Sequence, residues 1–279
     1  MITDLLLVSV GNTRTRIAEV TGLAAGADSI QPARVVDNGS GLAATVREAA
    51  AKLPAESSRI VMASVNGRVA DPLAEALGGP GTARLVRLTV DSAGMKIPMQ
   101  TGLTPPLTVG ADRLLAALGA YTRSGEACVV IDAGTAVTVD FVDAHGLFQG
   151  GVIAPGLAMQ LRALHEGTAQ LPKVEPPRTS EQKLPEGAWG KTTAEAMLLG
   201  CASCIRGLAR LLIDKNAELT GAYPRVIATG GDSPLLFERD ELIEHIVPDL
   251  VLIGMLAAWR GHHPKTGETE GAGDEEDDE

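Results

Sequence analysis

The sequence contains few cationic residues, few aromatic residues and few cysteines. Only 24 Lys and Arg stand against 35 Asp and Glu, and the formal net charge of −11 argues against a nucleic-acid partner, whose phosphates would be repelled. Aromatic residues make up 3% of the chain, although 45% of it is hydrophobic. Small and aliphatic residues therefore fill the core, and we expect a compact α/β protein with close backbone packing. A length of 279 residues suffices for one large domain or two medium ones.

The three cysteines, Cys128, Cys201 and Cys204, indicate a reducing compartment, and we expect a cytoplasmic protein. Cys201 and Cys204 have the spacing of a redox or zinc pair. No second pair accompanies them and they fall within a helical pattern, so ordinary core cysteines are the favoured interpretation. The sequence shows neither a basic region followed by a cleavage site nor an apolar run of about 18 residues. It therefore predicts no signal sequence and no membrane span.

Acidic residues dominate the segment 267–279, which reads GETEGAGDEEDDE. The segment has no apolar periodicity and its charges repel one another, so we predict an acidic disordered tail over 263–279. A solubilising role is favoured over a role in partner binding.

Two stretches of the sequence, VSVGNTRTRIAEV and VIDAGTAVTVDFV, share a pattern of apolar strand, glycine turn and second strand. Ser9 of the first holds the place of Asp132 in the second, and Gly11 holds the place of Gly134. One such match is weak evidence because the pattern is common, but a β-β-β-α-β order surrounds each copy. We therefore predict an internal duplication with the two turns on opposite walls of one cleft, the usual place for a ligand.

The residues of the two turns could bind an anion. Gly11 and Gly134 allow backbone N–H groups to approach a ligand closely, and turns with exposed N–H groups and hydroxyls form concave anion sites. The neutral donors around them are Asn12, Thr13, Thr135 and Thr138. The alternative is two ordinary hairpins whose glycines only satisfy turn geometry. A third glycine turn at 229–231, again after an apolar strand, favours a site for the phosphates of ATP, with this turn under the nucleoside.

Several stretches in order extend this interpretation to a family. They read VGNTRTR, PPLTVGADRLLAA, DAGTAVTVD, GGVIAPGLAMQLRALHEGTAQLP followed by GKTTAEAMLLG, and ATGGD. With this order and spacing the chain resembles the type III pantothenate kinases, of the acetate kinase, sugar kinase, Hsp70 and actin superfamily, over about residues 4–260. Single motifs such as GADR or GNT would be weak signals, whereas the full series is specific.

The resemblance implies ATP-dependent phosphorylation of pantothenate to 4'-phosphopantothenate, the first step toward coenzyme A. It implies two duplicated ribonuclease H-like (actin-like ATPase) domains, each a mixed sheet flanked by helices, with an interdomain cleft. We place these domains at 1–110 and 111–262. The resemblance also implies Mg²⁺, a monovalent cation such as K⁺ or NH₄⁺, and a homodimer.

Matched motif positions imply the site residues. Asp112 corresponds to the catalytic base, since a carboxylate can accept the hydroxyl proton of the substrate as it attacks the γ-phosphoryl group. Asp132 corresponds to a ligand of the monovalent cation. The implied ATP contacts are Ser9, Val10, Gly11, Asn12, Thr13, Arg14, Thr15, Arg16 and Thr135. The implied pantothenate contacts are Leu103, Gly110, Ala111, Asp112, Arg113 and Thr193.

Simpler roles remain open for several of these residues. Asp112 could be an acid that favours the dipole at a helix N-terminus, and Arg113 could be a surface cation. Thr193 could cap a helix. Arg14 or Arg16 could be solvated residues at strand ends.

Two positions depart from the family pattern. Leu103 stands where the family usually has an aromatic residue, which would loosen one wall of the pantothenate pocket. Ser9 stands where the family has an Asp that would help to position hydrated Mg²⁺ and the phosphates. Ser keeps an oxygen but lacks the charge, and a charge-assisted contact is worth about 1.5–3 kcal/mol, or roughly ten- to a hundred-fold in rate. Asp132 and Asp140 could bind the metal instead.

The Ser9 departure leaves two hypotheses. The first is an active pantothenate kinase with weakened or rerouted metal binding. The second is a non-catalytic relative that binds nucleotide or pantothenate and acts as a regulator or accessory factor. A sugar or acetate kinase on the same fold is a third class, which the GADR and GKTT stretches disfavour.

Overall fold

The computed structural model describes residues 1–23, 29–78, 84–104, 109–177 and 183–263. Nearly all of the predicted acidic tail lies outside these residues, so its disorder stays a prediction. The stretch 105–108 of the implied substrate motif also lies outside them.

The described residues form two groups of strands, each interleaved with helices. In chain order the elements are β1 (Asp4–Val10), β2 (Arg14–Thr21), β3 (Ser29–Ile30), β4 (Arg34–Asp37), α1 (Leu42–Ala51), β5 (Ser58–Ser64), α2 (Gly67–Ala76), β6 (Leu85–Thr89), β7 (Met95–Lys96), α3 (Ala111–Ser124), β8 (Cys128–Ala133), β9 (Ala136–Val142), β10 (Phe148–Pro155), α4 (Leu157–Glu166), α5 (Thr193–Thr220), β11 (Arg225–Thr229), α6 (Ser233–Phe237), β12 (His245–Ile246) and α7 (Leu250–His262).

The two groups of strands form two mixed sheets with the same internal order. The first sheet runs β3-β2-β1-β5-β6-β7, with β4 also paired to β2, and the second runs β10-β9-β8-β11-β12. In each sheet the leading strand (β1 or β8) pairs antiparallel with the strand after its glycine turn and parallel with a later strand (β5 or β11). The predicted mixed sheets flanked by helices are confirmed, and this shared order supports the predicted duplication.

The helices and sheets stack in five layers. Helices α1 and α2 cover the outer face of the first sheet, α3 and α7 lie between the two sheets, and α4, α5 and α6 cover the outer face of the second. Because side chains alternate along a strand, both faces of the central strands must be apolar. In β1, Leu5 and Leu7 pack in the middle layer, whereas Leu6 and Val8 pack with residues of α1 and α2.

The middle layer of helices contacts both of the predicted domains, 1–110 and 111–262. Helix α3 begins at Ala111 and contacts β5 of the first sheet, β8 and β9 of the second sheet, and α7. Helix α7 in turn contacts β1. The layer is therefore shared between the two sheets, and the division into 1–110 and 111–262 stays a prediction.

Helix α5 is long and apolar enough to cross a membrane by length and composition. This is weak evidence for a span, because core helices of other proteins pass the same test. Along α5, residues four apart face inward and pack with the second sheet and α4. They are Met197, Cys201, Ile205, Ala209 and Ile213.

Two glycines allow α3 and α7 to pack backbone against backbone. A Cβ atom at Gly119 would lie 2.5 Å from the carbonyl oxygen of Leu250. A Cβ atom at Gly254 would overlap the carbonyl oxygen of Leu115. The absence of side chains at this crossing therefore sets how closely the helices approach.

We expect Gly254→Ala to destabilise the protein, because the added methyl group can be placed only if the two helices move apart. Overpacking of this kind typically costs about 1–3 kcal/mol. Gly207→Ala is the matched control, since Gly207 is an exposed residue of α5 with no atom near its missing Cβ. That change should stabilise the helix by about 0.5–1 kcal/mol. Urea unfolding curves that rank the two variants equally would contradict the close helix crossing.

Candidate functional site

The first glycine turn joins β1 to β2, and other parts of the chain hold its carbonyl groups. The Asn38 side chain donates to the carbonyl oxygen of Gly11 at 2.9 Å, and its backbone N–H donates to that of Thr13 at 3.1 Å. The Asn66 side chain donates to the carbonyl oxygen of Asn12 at 3.3 Å. The turn carbonyls are thereby occupied, and the exposed side chains of Asn12 and Thr13 are placed for a ligand.

The second glycine turn joins β8 to β9 and meets the first. The N–H of Gly134 donates to the carbonyl oxygen of Ala136 at 2.9 Å, which closes the turn. The hydroxyls of Thr13 and Thr135 lie 3.1 Å apart and share a hydrogen bond. These residues are 122 positions apart in the chain. The two turns face each other as the repeat predicted.

Among the other implied ATP contacts of the first hairpin, some side chains are buried and others point to solvent. Val10 and Thr15 are buried, and the Thr15 hydroxyl donates to Asn38 Oδ1 at 2.7 Å. Arg14 extends outward, with its Nε 3.5 Å from Asp37. The side chains of Val10 and Thr15 are therefore scaffold, and only their backbone could contact a ligand.

Ser9 lies opposite Arg16 across the β1–β2 ladder. Ser9 therefore shares a face with Leu5 and Leu7, the face that packs toward α7. Arg16 Nη1 donates to Asp249 Oδ1 at 2.7 Å, and Asp249 directly precedes α7. Asp249 carries no local sequence signal for this contact, because an Asp before a helix suggests only a cap and the two residues are 233 positions apart.

Half-buried carboxylates gather between the turns and the start of α3. Burial raises the pKa of Asp132 to about 6, the negative charge of Asp112 adds to this, and Arg16 opposes it. Burial also raises the pKa of Asp112, although a hydrogen bond from the backbone N–H of Arg113 at 2.8 Å acts in the other direction. Gly230, in the third glycine turn, abuts the Asp132 carboxylate and leaves no room for a side chain.

Arg113 is bound by a carboxylate on the second sheet. Its Nε donates to Asp140 Oδ1 at 3.1 Å and to Oδ2 at 3.2 Å, and its Nη2 also contacts Oδ1. The guanidinium lies over the Phe148 ring, 5.7 Å from its centre. Arg113 is thus not a surface cation. Asp140, considered above only as a possible metal ligand, has both oxygens engaged by this arginine.

The implied substrate contacts do not all converge. Gly110 and Ala111 border a cavity of about 590 Å³ beside the start of α3. Leu103 packs near Gly150 on β10. Thr193 is exposed at the first position of α5, and among the contacts of the described residues none links it to Asp112.

The helix-capping role considered for Thr193 belongs to its neighbour. Thr192 is the residue whose side chain accepts from the backbone N–H of Glu195 at 3.2 Å, in a capping box at the start of α5. In return the Glu195 carboxylate accepts from the backbone N–H of Thr192 at 3.3 Å. The cap therefore explains Thr192 and leaves Thr193 without a structural role of that kind.

Comparison with known proteins identifies relatives of the chain. A family model described as "Type III pantothenate kinase" matches residues 5–215. A protein of that name from Hyphomonas neptunium is 38% identical over 177 residues, covering 62% of this chain and 66% of the relative. Another from Rhodospirillum rubrum is 43% identical over 162 residues, covering 58% of this chain and 61% of the relative. The chain thus spans less than two thirds of the length of these curated relatives.

A solved structure shares the fold. It is described as a conserved putative Baf family transcriptional activator from Campylobacter jejuni, with a TM-score of 0.56 and 19% identity. The match covers 92% of this chain and 98% of the other. At this identity the likeness concerns the fold alone.

Replacing Asp132 with Asn should stabilise the protein at neutral pH and change little in acid. The folded-state pKa of about 6 exceeds the reference value of 3.8. Between these values the folded state binds more protons than the unfolded state, so the carboxylate costs more stability as the pH rises. Melting temperatures measured from about pH 4 to about pH 8 should show a growing advantage of the variant, at about 2–4 °C per kcal/mol.

Asp143→Asn is a control in which the change in stability should have the opposite sign, because the pKa of Asp143 is lowered rather than raised. A burial effect that would raise the pKa of Asp143 is outweighed by hydrogen bonds from the Leu147 backbone at 3.0 Å and the Gln149 side chain at 2.7 Å, which lower it. This variant should therefore lose stability at neutral pH. If Asp132→Asn instead melted below the native protein at every pH, the account of Asp132 would be wrong.

Proposed function

Since the chain belongs to the type III pantothenate kinase family, we propose that it catalyses ATP-dependent phosphorylation of pantothenate to 4'-phosphopantothenate, the first step of coenzyme A biosynthesis. The observation that carries this proposal is the meeting of the two glycine turns, with the Thr13 and Thr135 hydroxyls 3.1 Å apart. The negative charge of Asp112 raises the pKa of Asp132, and this proximity supports a charged reaction centre beside these turns.

In this proposal the two turns bind the phosphates of ATP. Residues 9–16 and Thr135 would line the phosphates, and the donors would come from the exposed turn residues Asn12, Thr13 and Thr135, since turns with exposed N–H groups and hydroxyls form a concave site for anions. The carbonyl oxygens of Gly11 and Asn12 accept hydrogen bonds from Asn38 and Asn66, and this supports the assignment because it reduces carbonyl repulsion of a phosphate. The contact of Gly230 with Asp132 supports a nucleoside position beside the third turn.

Asp112 is the proposed catalytic base. It would accept the proton of the pantothenate hydroxyl as that oxygen attacks the γ-phosphoryl group of ATP, while ADP leaves on the opposite side. The raised pKa of Asp112, caused mainly by burial, supports the role because a base works best with a pKa closer to the working pH. Its place in the first turn of α3, on the layer shared by the two sheets, would hold it at the cleft.

Pantothenate is assigned to the cavity of about 590 Å³ beside Gly110 and Ala111, a size within the usual range for small-molecule sites. Most of its lining is apolar, with a few polar groups that would orient the substrate. The lining includes Met62, Ser64, Val65, Leu88, Thr89, Val90 and Val109. Arg113 and Leu103 would complete the site from the side of β10. Thr193 is assigned on its motif alone.

The donor set fits a hydrated Mg²⁺ held largely by the nucleotide. Within the described ranges, no three His, Cys, Asp or Glu side chains are grouped to hold an ion unaided. Mg²⁺ in phosphoryl-transfer sites commonly keeps water and takes only one or two carboxylates, and it would neutralise charge on the phosphates. Asp132 would hold the monovalent cation, K⁺ or NH₄⁺, because a cation there relieves the repulsion from Asp112.

We also propose that the protein is a cytoplasmic homodimer without a nucleic-acid or membrane partner. Support for the dimer comes from apolar residues around the outer edge of the second sheet, where Ile153 of β10 is 65% exposed and Leu219 of α5 is 85% exposed. Three free cysteines support a reducing compartment. The net charge of −11 disfavours nucleic acid.

We expect the purified protein to form ADP when supplied with ATP, pantothenate, Mg²⁺ and K⁺. Ser9→Asp should increase the rate at limiting Mg²⁺ by about ten-fold or more, because it adds one charge-assisted contact to the metal waters. Asp112→Asn should lower kcat by about 10²- to 10⁴-fold through loss of the base. A coupled assay of ADP formation measures all three proteins.

Ser203→Asp is the matched control for the added charge, because Ser203 lies on the exposed side of α5; it should leave the rate unchanged. A native protein with no turnover that becomes active only as Ser9→Asp would establish the non-catalytic hypothesis. Full turnover in Asp112→Asn would remove Asp112 from its role as base. Turnover with a sugar or acetate in place of pantothenate would overturn the substrate assignment.

A further inference from the structure

We propose that Asp140 is a positioning residue, which fixes the guanidinium of Arg113 and thereby the placement of pantothenate beside Asp112. This inference rests on the proposed function. It adds a residue of a second-sheet strand to a substrate site whose other assigned groups lie on α3, on α5, on the first sheet or in the loops.

The Asp140 carboxylate is buried against the backbone of β10. Its side chain is 2% exposed, and its backbone is paired with Val130 on β8 and Gly151 on β10. A Cβ atom at Gly151 would overlap the Asp140 carboxylate and the backbone of Val139. The carboxylate thus packs directly on the β10 backbone and is shielded from solvent.

Asp140 binds the Nε and Nη2 donors of the Arg113 guanidinium and does not contact Nη1. A guanidinium has five N–H donors in a fixed plane, and Asp140 accepts from Nε and Nη2. The Phe148 ring supports the guanidinium 5.7 Å from its centre. With its plane fixed by these two contacts, the Nη1 edge can offer its donors to a ligand in one orientation, and no ordering of the long side chain is required on binding.

Arg113 and Asp112 are neighbours in the first turn of α3, so a ligand held by one is placed relative to the other. The backbone N–H of Arg113 donates to Asp112 Oδ1 at 2.8 Å. If Asp140 no longer fixed the guanidinium, a substrate bound by Arg113 would lie at variable distance from the base. The structure therefore predicts a loss of pantothenate affinity together with a smaller loss of turnover, while ATP binding at the glycine turns stays unchanged.

A structural role must be separated from this one, because the pair also ties α3 to the second sheet. Asp140→Asn keeps the shape and one acceptor oxygen but removes the charge. We expect it to raise KM for pantothenate by about ten-fold or more, the size of one charge-assisted hydrogen bond, and to change KM for ATP by less than about two-fold. A merely structural role would change both constants together, or neither.

The double variant Arg113→Gln with Asp140→Asn shows whether Asp140 acts through Arg113. If it does, Asp140→Asn adds no further rise in KM for pantothenate to that of Arg113→Gln alone, because the group it positions is already gone. The double variant also removes both charges, so it does not bury an unpaired arginine and can be measured even if Asp140→Asn unfolds. Glu244→Gln, which breaks the exposed pair with Arg225, is the matched control and should change nothing.

The outcomes separate this inference from the proposed function. A native protein that neither binds pantothenate by calorimetry nor phosphorylates it overturns the proposed function and this inference with it. A native protein that phosphorylates pantothenate, alongside an Asp140→Asn variant with unchanged KM for pantothenate, overturns the role of Asp140 alone. Additive effects of the two substitutions also overturn it. The inference is supported if Asp140→Asn raises KM for pantothenate without raising KM for ATP, and if the same substitution gives no further rise in the Arg113→Gln variant.

Discussion

The close packing of α3 on α7 is the contact on which the rest of the structure depends. Each sheet has apolar residues on both faces, and the inner faces of both are covered by this one pair of helices. The two helices pack closely enough to fit between the sheets because Gly119 and Gly254 bring backbone against backbone. A thicker layer would move the sheets apart, and the glycine turns at their ends would no longer meet.

The charged residues around the turns are unevenly paired. Two arginines, Arg16 and Arg113, each bind a carboxylate from a distant part of the chain, Asp249 and Asp140 respectively. Asp112 and Asp132 are half-buried; burial raises the pKa values of both, and the charge of Asp112 raises that of Asp132 further. A site of this kind is suited to binding cations and to accepting a proton, and the proposed kinase reaction requires both. Ser9 adds an oxygen there but no charge.

Much of this arrangement could be predicted from local sequence. The repeated glycine turn and the strand order around each copy predicted two similar units with opposed turns, because strand periodicity and glycine geometry are properties of short segments. The mixed sheets were predicted from the family resemblance. The cap at α5 is Thr192 rather than Thr193, a difference of one residue that local pattern does not resolve.

The partners of the site residues could not be predicted in this way. Asp140 lies 27 positions from Arg113 and Asp249 lies 233 positions from Arg16, and each pair forms only when separate layers pack together. Asn38, which holds the first turn through three hydrogen bonds, is likewise an ordinary loop residue in the sequence. Val10 and Thr15 match positions of the family's ATP-binding motif, whereas the strand alternation buries their side chains on the other face.

The most direct test of the central claim is a crystal structure of the protein with a non-hydrolysable ATP analogue, Mg²⁺ and pantothenate. The account predicts the phosphates between the turn at Gly11–Thr13 and the turn at Gly134–Thr135, with the Thr13–Thr135 hydrogen bond replaced by bonds to phosphate oxygens. It predicts the pantothenate hydroxyl within about 2.6–3.2 Å of the Asp112 carboxylate. A nucleotide bound away from both turns, or a pantothenate hydroxyl out of reach of Asp112, would contradict it.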